Sequence, residues 1–182
     1  RPWAKPVKII FAGRFVEHRG TRLMEQVISV LLAGSYDLLF TLAGEGPDLL
    51  RLEQRFAGEQ RVRFMRYSPL DAVRVHGEHD IAVVPSVGSQ GTSFSLAEAM
   101  GAGCAVVASP VGGVTNMIID GYNGRLVAAR VDELVQAIVQ LIVTPTYRAS
   151  LGTRAMETVA MGFGLDRWKK RWSEVLTLVA GP

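Results

Sequence analysis

The stretch DIAVVPSVGSQGTSFSLAEAMGAGCAVVAS, residues 80–109, decides the fold. It contains two short apolar runs, DIAVVP and CAVVAS, separated by a loop rich in glycine and hydroxyl side chains and by a helical pattern, SFSLAEAMGAG. An unbroken apolar run of this length is typical of a strand that is buried on both faces, as in a parallel sheet. Parallel neighbours need a long crossover, which the helix provides. The stretch therefore predicts a β-α-β unit.

The same order of a buried strand and a helix recurs on both sides of this unit. Further strands are predicted at residues 7–13, 38–44, 62–65 and, more weakly, 123–127, and further helices at 21–34, 47–58, 68–76 and 114–119. From about residue 131 the pattern is helical alone, over 132–142, 146–161 and 164–179. We therefore predict an α/β fold: a single doubly wound, Rossmann-like domain with a six-stranded parallel sheet and a C-terminal helical extension over 131–182.

The bulk composition fits one soluble domain and argues against two classes of partner. Of 182 residues, 48% are apolar, and 20 Lys plus Arg stand against 17 Asp plus Glu. This mild positive balance does not indicate nucleic-acid binding. No apolar run approaches the roughly 20 residues of a membrane-spanning helix. The lone cysteine, Cys104, cannot form an internal disulfide, so we expect a buried thiol and a cytoplasmic protein.

The first strand end offers a candidate anion site. In a doubly wound sheet, ligands bind beyond the carboxyl ends of the strands, where helix N-termini present unpaired N–H groups. The loop GRFVEHRG places Arg14 and Arg19 at this edge, next to Gly13. Two guanidinium groups suit a diphosphate, and solvated surface arginines are the alternative. Neither G-x-G-x-x-G nor G-x-x-x-x-G-K-[ST] follows a strand, so dinucleotide and P-loop sites are not indicated.

The other strand ends add weaker candidates. Arg66 and Tyr67 follow the third strand and either flank a planar base or are surface side chains. Glu45, in the turn AGEGP, is expected to be a turn residue. Gly112 and Gly113 follow the fifth strand and permit close approach of a ligand or of another loop. The histidines do not cluster with cysteines or acids, so no metal site is predicted.

Glu98 has two interpretations. Leu96, Ala97 and Met100 form the predicted apolar stripe of its helix, and Glu98 points away from that stripe. A carboxylate facing the crevice would accept hydrogen bonds from the paired hydroxyls of a ribose. The alternative is that Ser95 and Glu98 form a capping box. The helix has three candidate N-caps: Thr92, Ser93 and Ser95.

Six stretches resemble one family in their order and spacing: GRFVEHRG, LAGEGP, VRFMRYS, DIAVVPS, QGTSFSLAEAMGAGCAVVASPVGGV and DGYNGRLV. Over residues 7–130 the chain resembles the nucleotide-binding C-terminal domain of retaining glycosyltransferases that have two Rossmann-like domains. Within these enzymes it is similar to glycosyltransferase group one, of the family 4 type. This resemblance implies sugar transfer from a nucleotide-diphospho-sugar (UDP-, GDP- or ADP-sugar) with retention at the anomeric carbon, and without a metal or a cofactor. It also implies that an N-terminal acceptor domain is absent from this chain, which begins with Arg and is expected to be inactive alone.

The resemblance implies roles for individual residues. Glu98 matches an acid that binds the ribose hydroxyls, and the backbone N–H groups of Ser93 and Phe94 match positions that face the donor. Gln90 stands where the family usually has a Glu, so the charge that would stabilise a cationic transition state is lost. The expected catalytic residues are Arg14, Arg19 and Gln90, and the expected donor-binding residues are Gly13, Arg66, Tyr67, Thr92, Ser93, Phe94, Glu98, Gly112 and Gly113.

Three alternatives stay open at this point. Gln90 and Asn116 depart from the family pattern, which leaves a non-catalytic nucleotide-binding or regulatory domain, and a related nucleotide-sugar epimerase, as competing functions. The segment RWKKRW, 167–172, suits peripheral contact with an anionic bilayer on the inner face of the membrane. The preferred interpretation is a solvated helix whose tryptophans pack on the core or on the missing domain.

Overall fold

The computed structural model describes residues 5–88 and 91–180. Six strands form one parallel sheet: β1 (Val7–Arg14), β2 (Leu38–Glu45), β3 (Val62–Met65), β4 (Ile81–Val84), β5 (Ala105–Ala108) and β6 (Arg125–Leu126). Their order is β3-β2-β1-β4-β5-β6, and every neighbouring pair is parallel. The predicted α/β fold with a six-stranded parallel sheet is therefore confirmed.

Across the described residues the α-helices are α1 (Thr21–Ala33), α2 (Leu49–Arg55), α3 (Ala72–Gly77), α4 (Phe94–Gly101), α5 (Val131–Val143), α6 (Pro145–Gly162) and α7 (Leu165–Ala180). The helix predicted at 114–119 is wrong: the chain forms only a short 3-10 helix, Gly112–Asn116. Gly112 has a left-handed φ of +56°, and two successive glycines disfavour a longer helix.

The side chains of the central strands alternate between two cores, one on each face of the sheet. In β4, Ile81 and Val83 belong to one core, whereas Ala82 and Val84 belong to the other. Helices α1, α2 and α5 complete the first core, α3 and α4 complete the second, and α6 contributes to both. Because both faces are covered, the strands are apolar throughout instead of alternating with polar residues.

The sheet opens between β1 and β4, where the strand order reverses. β1 pairs with β2 along its whole length, from Val7 to Arg14. With β4 it pairs only at Ile9 and Ile10, so the two strands part before their carboxyl ends. A parting of strands at this point is the usual ligand crevice of a doubly wound sheet.

The loops that follow β1 and β4 are held against each other. The carbonyl of His18 accepts hydrogen bonds from the N–H groups of Val87 and Gly88, at 3.0 and 3.1 Å. Gly20 has a left-handed φ of +81°, and a Cβ on it would lie 2.0 Å from the carbonyl oxygen of Pro85. Only glycine permits this approach, which fixes the position of one loop relative to the other.

Helix α7 lies on the surface. Trp168 and Trp172 are 57% and 49% exposed, and their ring centroids lie 6.0 Å apart. The predicted solvated helix is therefore observed, but its tryptophans do not pack on the core, because helices α1 to α6 already cover both faces of the sheet. That they pack on another domain stays a prediction. Among the described residues, no helix is both long enough and apolar enough to span a membrane.

Helix α6 owes its close packing to Gly152, which makes this residue a test of the fold. A Cβ on Gly152 would lie 2.2 Å from the carbonyl oxygen of Gly103, a backbone atom that cannot rotate away. We expect Gly152→Ala to lower the free energy of unfolding by about 2 kcal/mol, because α6 would be pushed away from the turn between α4 and β5. Urea unfolding followed by circular dichroism measures the change.

Gly162 provides the matched control in the same helix. A Cβ on Gly162 meets nothing within 4 Å. Gly162→Ala is expected to be neutral or to stabilise by up to about 1 kcal/mol, because alanine favours helix. Similar free energies of unfolding for the two variants would contradict the packing described for α6.

Candidate functional site

Two adjoining cavities follow the carboxyl edge of the sheet. The first has a volume of about 230 Å³ and lies between the ends of β1 and β4 and the start of α4. The second has a volume of about 800 Å³ and extends over the ends of β2 and β3. Both are lined by Gly13, Arg14, Tyr67 and Glu98. We call the two cavities together the cleft.

Eight residues that the sequence predicts for the site line the cleft: Gly13, Arg14, Arg19, Arg66, Tyr67, Thr92, Phe94 and Glu98. Gln90 lies outside the described residues. Ser93 is buried beneath the start of α4. Gly112 and Gly113 do not line the cleft; a Cβ on Gly113 would lie 2.8 Å from the carbonyl oxygen of Gly91, so this glycine admits another loop.

Two hydroxyl groups of the cleft were not predicted from the sequence. Ser86 lies two residues beyond β4, and Ser95 lies in the first turn of α4; both line the first cavity. The signal for Ser86 was its position directly after a buried strand, the same signal that identified Arg14. The sequence predicts Ser95 only as a helix cap, although its place in the first turn of α4 also puts it at the cleft.

Ser93 is the N-cap of α4. Its hydroxyl accepts a hydrogen bond from the N–H of Leu96 at 3.4 Å. Since the cap is Ser93, the alternative that Ser95 and Glu98 form a capping box is wrong. The N–H groups of Phe94 and Ser95 have no acceptor within the helix, as at every helix N-terminus. They add a partial positive charge to the wall of the cleft.

Phe94 presents a large apolar side chain at the entrance of the cleft. It is the first residue of α4 and is 78% exposed. The buried positions of this helix are Leu96, Ala99 and Met100. The predicted stripe is extended on this point: Ala97 is partly buried and packs against the same core, and the spacing i, i+3, i+4 adds Ala99 as a fully buried position. Glu98 then faces the cleft.

The Glu98 carboxylate is partly shielded from water. Its side chain is 28% exposed, and this burial raises the pKa of Glu98. Among residues 5–88 and 91–180 we find no hydrogen bond to its oxygens. Burial of the Tyr67 side chain and, to a smaller extent, the charge of Glu98 raise the pKa of Tyr67. The cleft therefore offers an unoccupied acceptor beside a neutral phenol.

His76 lies behind Glu98 as seen from the cleft. Its Nε2 is 3.8 Å from Oε2 of Glu98. Burial, with a smaller effect of the nearby His79, lowers the pKa of His76 to about 4. The imidazole is therefore neutral at pH 7. The contact is not an ion pair, and the distance is too long for a hydrogen bond.

Arginine side chains occupy both ends of the cleft. Arg14, at the end of β1, is exposed, and Arg19 is partly buried; both line the first cavity with the start of α4. Arg66 lines the second cavity and lies 3.7 Å from Glu45. Both partners of this pair are exposed, so it adds little to stability. The prediction that Glu45 is a turn residue is wrong: it is the last residue of β2, and its side chain lies at the rim of the cleft beside Arg66.

The chemistry of the cleft is divided along its length. Guanidinium groups and a helix N-terminus converge on the first cavity and suit an anion such as a diphosphate. The Glu98 carboxylate suits hydroxyl donors, and the second cavity is large enough for a planar group. In the described part of the chain, no group of three or more His, Cys, Asp or Glu side chains could hold a metal ion.

Comparison with known proteins identifies the family. The model of the family described as glycosyl transferases group 1 matches residues 6–144. An uncharacterised glycosyltransferase of Methanocaldococcus jannaschii is 30% identical over 177 residues, which cover 92% of this chain and 43% of that relative. The chain therefore spans less than half the length of this relative.

Two solved structures resemble this fold. The C-terminal domain of a glycosyl transferase group 1 family protein of Francisella tularensis superimposes with a TM-score of 0.76 at 24% identity, covering 88% of this chain and 89% of that one. HepE of Anabaena, in complex with UDP-glucose, superimposes with a TM-score of 0.83 at 20% identity, covering 95% of this chain and 49% of that one. At these identities the likeness establishes the fold alone.

Proposed function

Because the chain belongs to the glycosyl transferases of group 1, we propose that it binds a nucleotide-diphospho-sugar donor in the cytoplasm. Joined to an acceptor-binding domain, it transfers the sugar to an acceptor with retention at the anomeric carbon. One observation carries the proposal: two arginines, a helix N-terminus and an unpaired carboxylate line a single cleft at the point where the strand order reverses. HepE of Anabaena, which has a similar fold, was solved in complex with UDP-glucose, and this supports the class of ligand.

In this proposal the diphosphate of the donor occupies the first cavity. Arg14 and Arg19 contact its oxygens, and the N–H groups at the start of α4 point toward them. Negative charge builds up on the diphosphate as the sugar leaves. Fixed positive groups stabilise that charge more in the transition state than in the bound donor, which is what accelerates the reaction.

The nucleoside occupies the second cavity. Glu98 stands where the two cavities join, so its carboxylate reaches the ribose between the diphosphate and the base. Arg66 and Tyr67 line the second cavity and flank the base. Gln90 is proposed to contact the donor sugar. The competing functions, a non-catalytic domain or an epimerase, are not favoured, because the similar proteins are glycosyltransferases.

Glu98→Ala tests the ribose contact. We expect this variant to bind UDP, GDP or ADP about tenfold more weakly, the effect of losing a hydrogen bond to a charged group. A nucleoside diphosphate that lacks both ribose hydroxyls should bind the parent and the variant equally, because it cannot use the carboxylate. Isothermal titration calorimetry measures both ligands.

Glu53→Ala is the matched control, because Glu53 is an exposed acid of α2 outside the cleft and its removal changes the net charge equally. It should leave every affinity unchanged. An equal loss of affinity for the hydroxyl-free ligand in Glu98→Ala would contradict the role given to this residue.

We also propose that α7 rests on an anionic membrane surface. Leu165, Trp168, Trp172, Leu176 and Val179 recur at helical spacing, and all are exposed. The basic side chains of the segment 167–172 outnumber the two acids of this helix. An exposed apolar stripe with tryptophans and adjacent basic groups is the pattern of a helix that lies in the membrane interface.

Flotation with vesicles tests this contact. The chain should float with vesicles that contain phosphatidylglycerol at low salt, and much less with phosphatidylcholine alone, because basic side chains prefer anionic lipid. The double variant Trp168→Ser, Trp172→Ser should lose the association. Leu70→Ser, which removes an exposed leucine outside α7, should retain it. A chain that stays unbound to anionic vesicles contradicts the membrane contact.

A further inference from the structure

His76 is a buried side chain that does not line the cleft, so the cleft itself does not explain it. It is 1% exposed, yet neither of its ring nitrogens has a hydrogen-bond partner among the described residues. Buried polar atoms are nearly always paired, so an imidazole with two unpaired nitrogens requires an explanation. A ligand in the cleft cannot reach it, because the ring is covered.

His79, three residues further along, shows how a purely structural histidine is satisfied in this region. Its Nδ1 is 2.8 Å from the carbonyl oxygen of Val75, and its Nε2 is 2.7 Å from Oγ1 of Thr41. It is also buried. Burial at this end of α3 therefore does not prevent a histidine from finding partners, and the state of His76 is specific to its position.

The backbone of His76 is firmly held. The Cys104 thiol donates to the carbonyl oxygen of His76 at 3.2 Å and lies 3.6 Å from that of His79. Burial raises the pKa of Cys104 to about 12, so the thiol keeps its proton. The ring also contacts Tyr67 edge-on, with centroids 6.3 Å apart. The bond to its carbonyl and the contact with Tyr67 restrict the movement of His76, so we expect the movement that pairs its ring to come from its neighbour.

That neighbour is the Glu98 carboxylate, 3.8 Å from Nε2. We propose that His76 is a positioning residue for Glu98: its Nε2–H donates to one carboxylate oxygen when a ligand hydroxyl engages the other. A shift of about 1 Å in the carboxylate brings the pair to hydrogen-bond distance. This inference rests on the proposed function, in which Glu98 accepts from the ribose.

A neutral imidazole suits this task. It donates a hydrogen bond and keeps its proton, so Glu98 keeps its negative charge and still accepts hydrogen bonds from the ligand. The bond would also fix the plane of the carboxylate, whose free rotation otherwise has to be lost on binding. The proposal requires one tautomer, with the proton on Nε2, because Nδ1 is not the atom near Glu98.

The tautomer can be tested without any ligand. Nitrogen-15 NMR of the imidazole in the free chain separates the two neutral forms by the shifts of their nitrogens. We expect His76 to carry its proton on Nε2. Nδ1 protonation would overturn the proposal, whatever the chain binds.

The second test uses a pair of variants with side chains of equal length. His76→Gln keeps an N–H near the position of Nε2, whereas His76→Met removes it. We expect His76→Gln to bind a nucleoside diphosphate within about twofold of the parent, and His76→Met to bind about tenfold more weakly. Calorimetry gives the affinities, and thermal unfolding checks that the two variants are equally folded.

A double-mutant cycle then separates positioning from a general structural effect. In the Glu98→Ala background, His76→Met should cost no further affinity, because there is no carboxylate to position. An undiminished loss in that background would overturn the proposal. If the parent binds no nucleotide, the function proposed for the cleft fails, and the role of His76 fails with it. If the parent binds a nucleotide and His76→Met binds as tightly, only the role of His76 fails.

Discussion

The parting of β1 from β4 is the constraint on which the rest of the structure depends. The two strands pair only at Ile9 and Ile10 of β1, and beyond these residues each strand continues without the other. The separation is held by the contact of Gly20 with the Pro85 carbonyl and by the two hydrogen bonds to His18. Without this opening, Arg14 would follow a closed sheet edge, and there would be no first cavity for it to line.

Helix α4 joins the fold to the chemistry. Its apolar stripe completes one core, its N-terminus points at the opening, and Glu98 lies on its remaining face. Capping by Ser93 satisfies one N–H internally and leaves those of Phe94 and Ser95 for the cleft. Behind the helix, His76 meets Glu98 from the protein interior. Helix α4 thus contributes to one core and presents a positive helix end to the cleft, and His76 of α3 is placed to orient Glu98.

Much of this arrangement could be predicted from the sequence, because both of its main signals are local. Apolar runs predict buried strands, and residues at the ends of those strands meet at one edge, which identifies Arg14. Helical spacing identifies Glu98, because it points away from the apolar stripe of its helix. Properties that depend on packing between distant segments could not be predicted. The pairing state of His76 depends on α3 meeting α4, and the exposure of Trp168 depends on other helices having already covered the sheet. The spacing of residues in the sequence predicts neither the missing hydrogen bonds of His76 nor the exposure of Trp168.

In the proposed function the cleft binds the nucleoside diphosphate part of a sugar donor. Backbone amide NMR of the chain, titrated separately with UDP, GDP and ADP, measures this binding residue by residue. We expect saturable shifts with at least one of the three, concentrated at Gly13, Arg14, Phe94 and Glu98, which line the cleft. No saturable shift with any of them at millimolar concentration, or shifts confined to residues away from the cleft, would contradict the proposed binding.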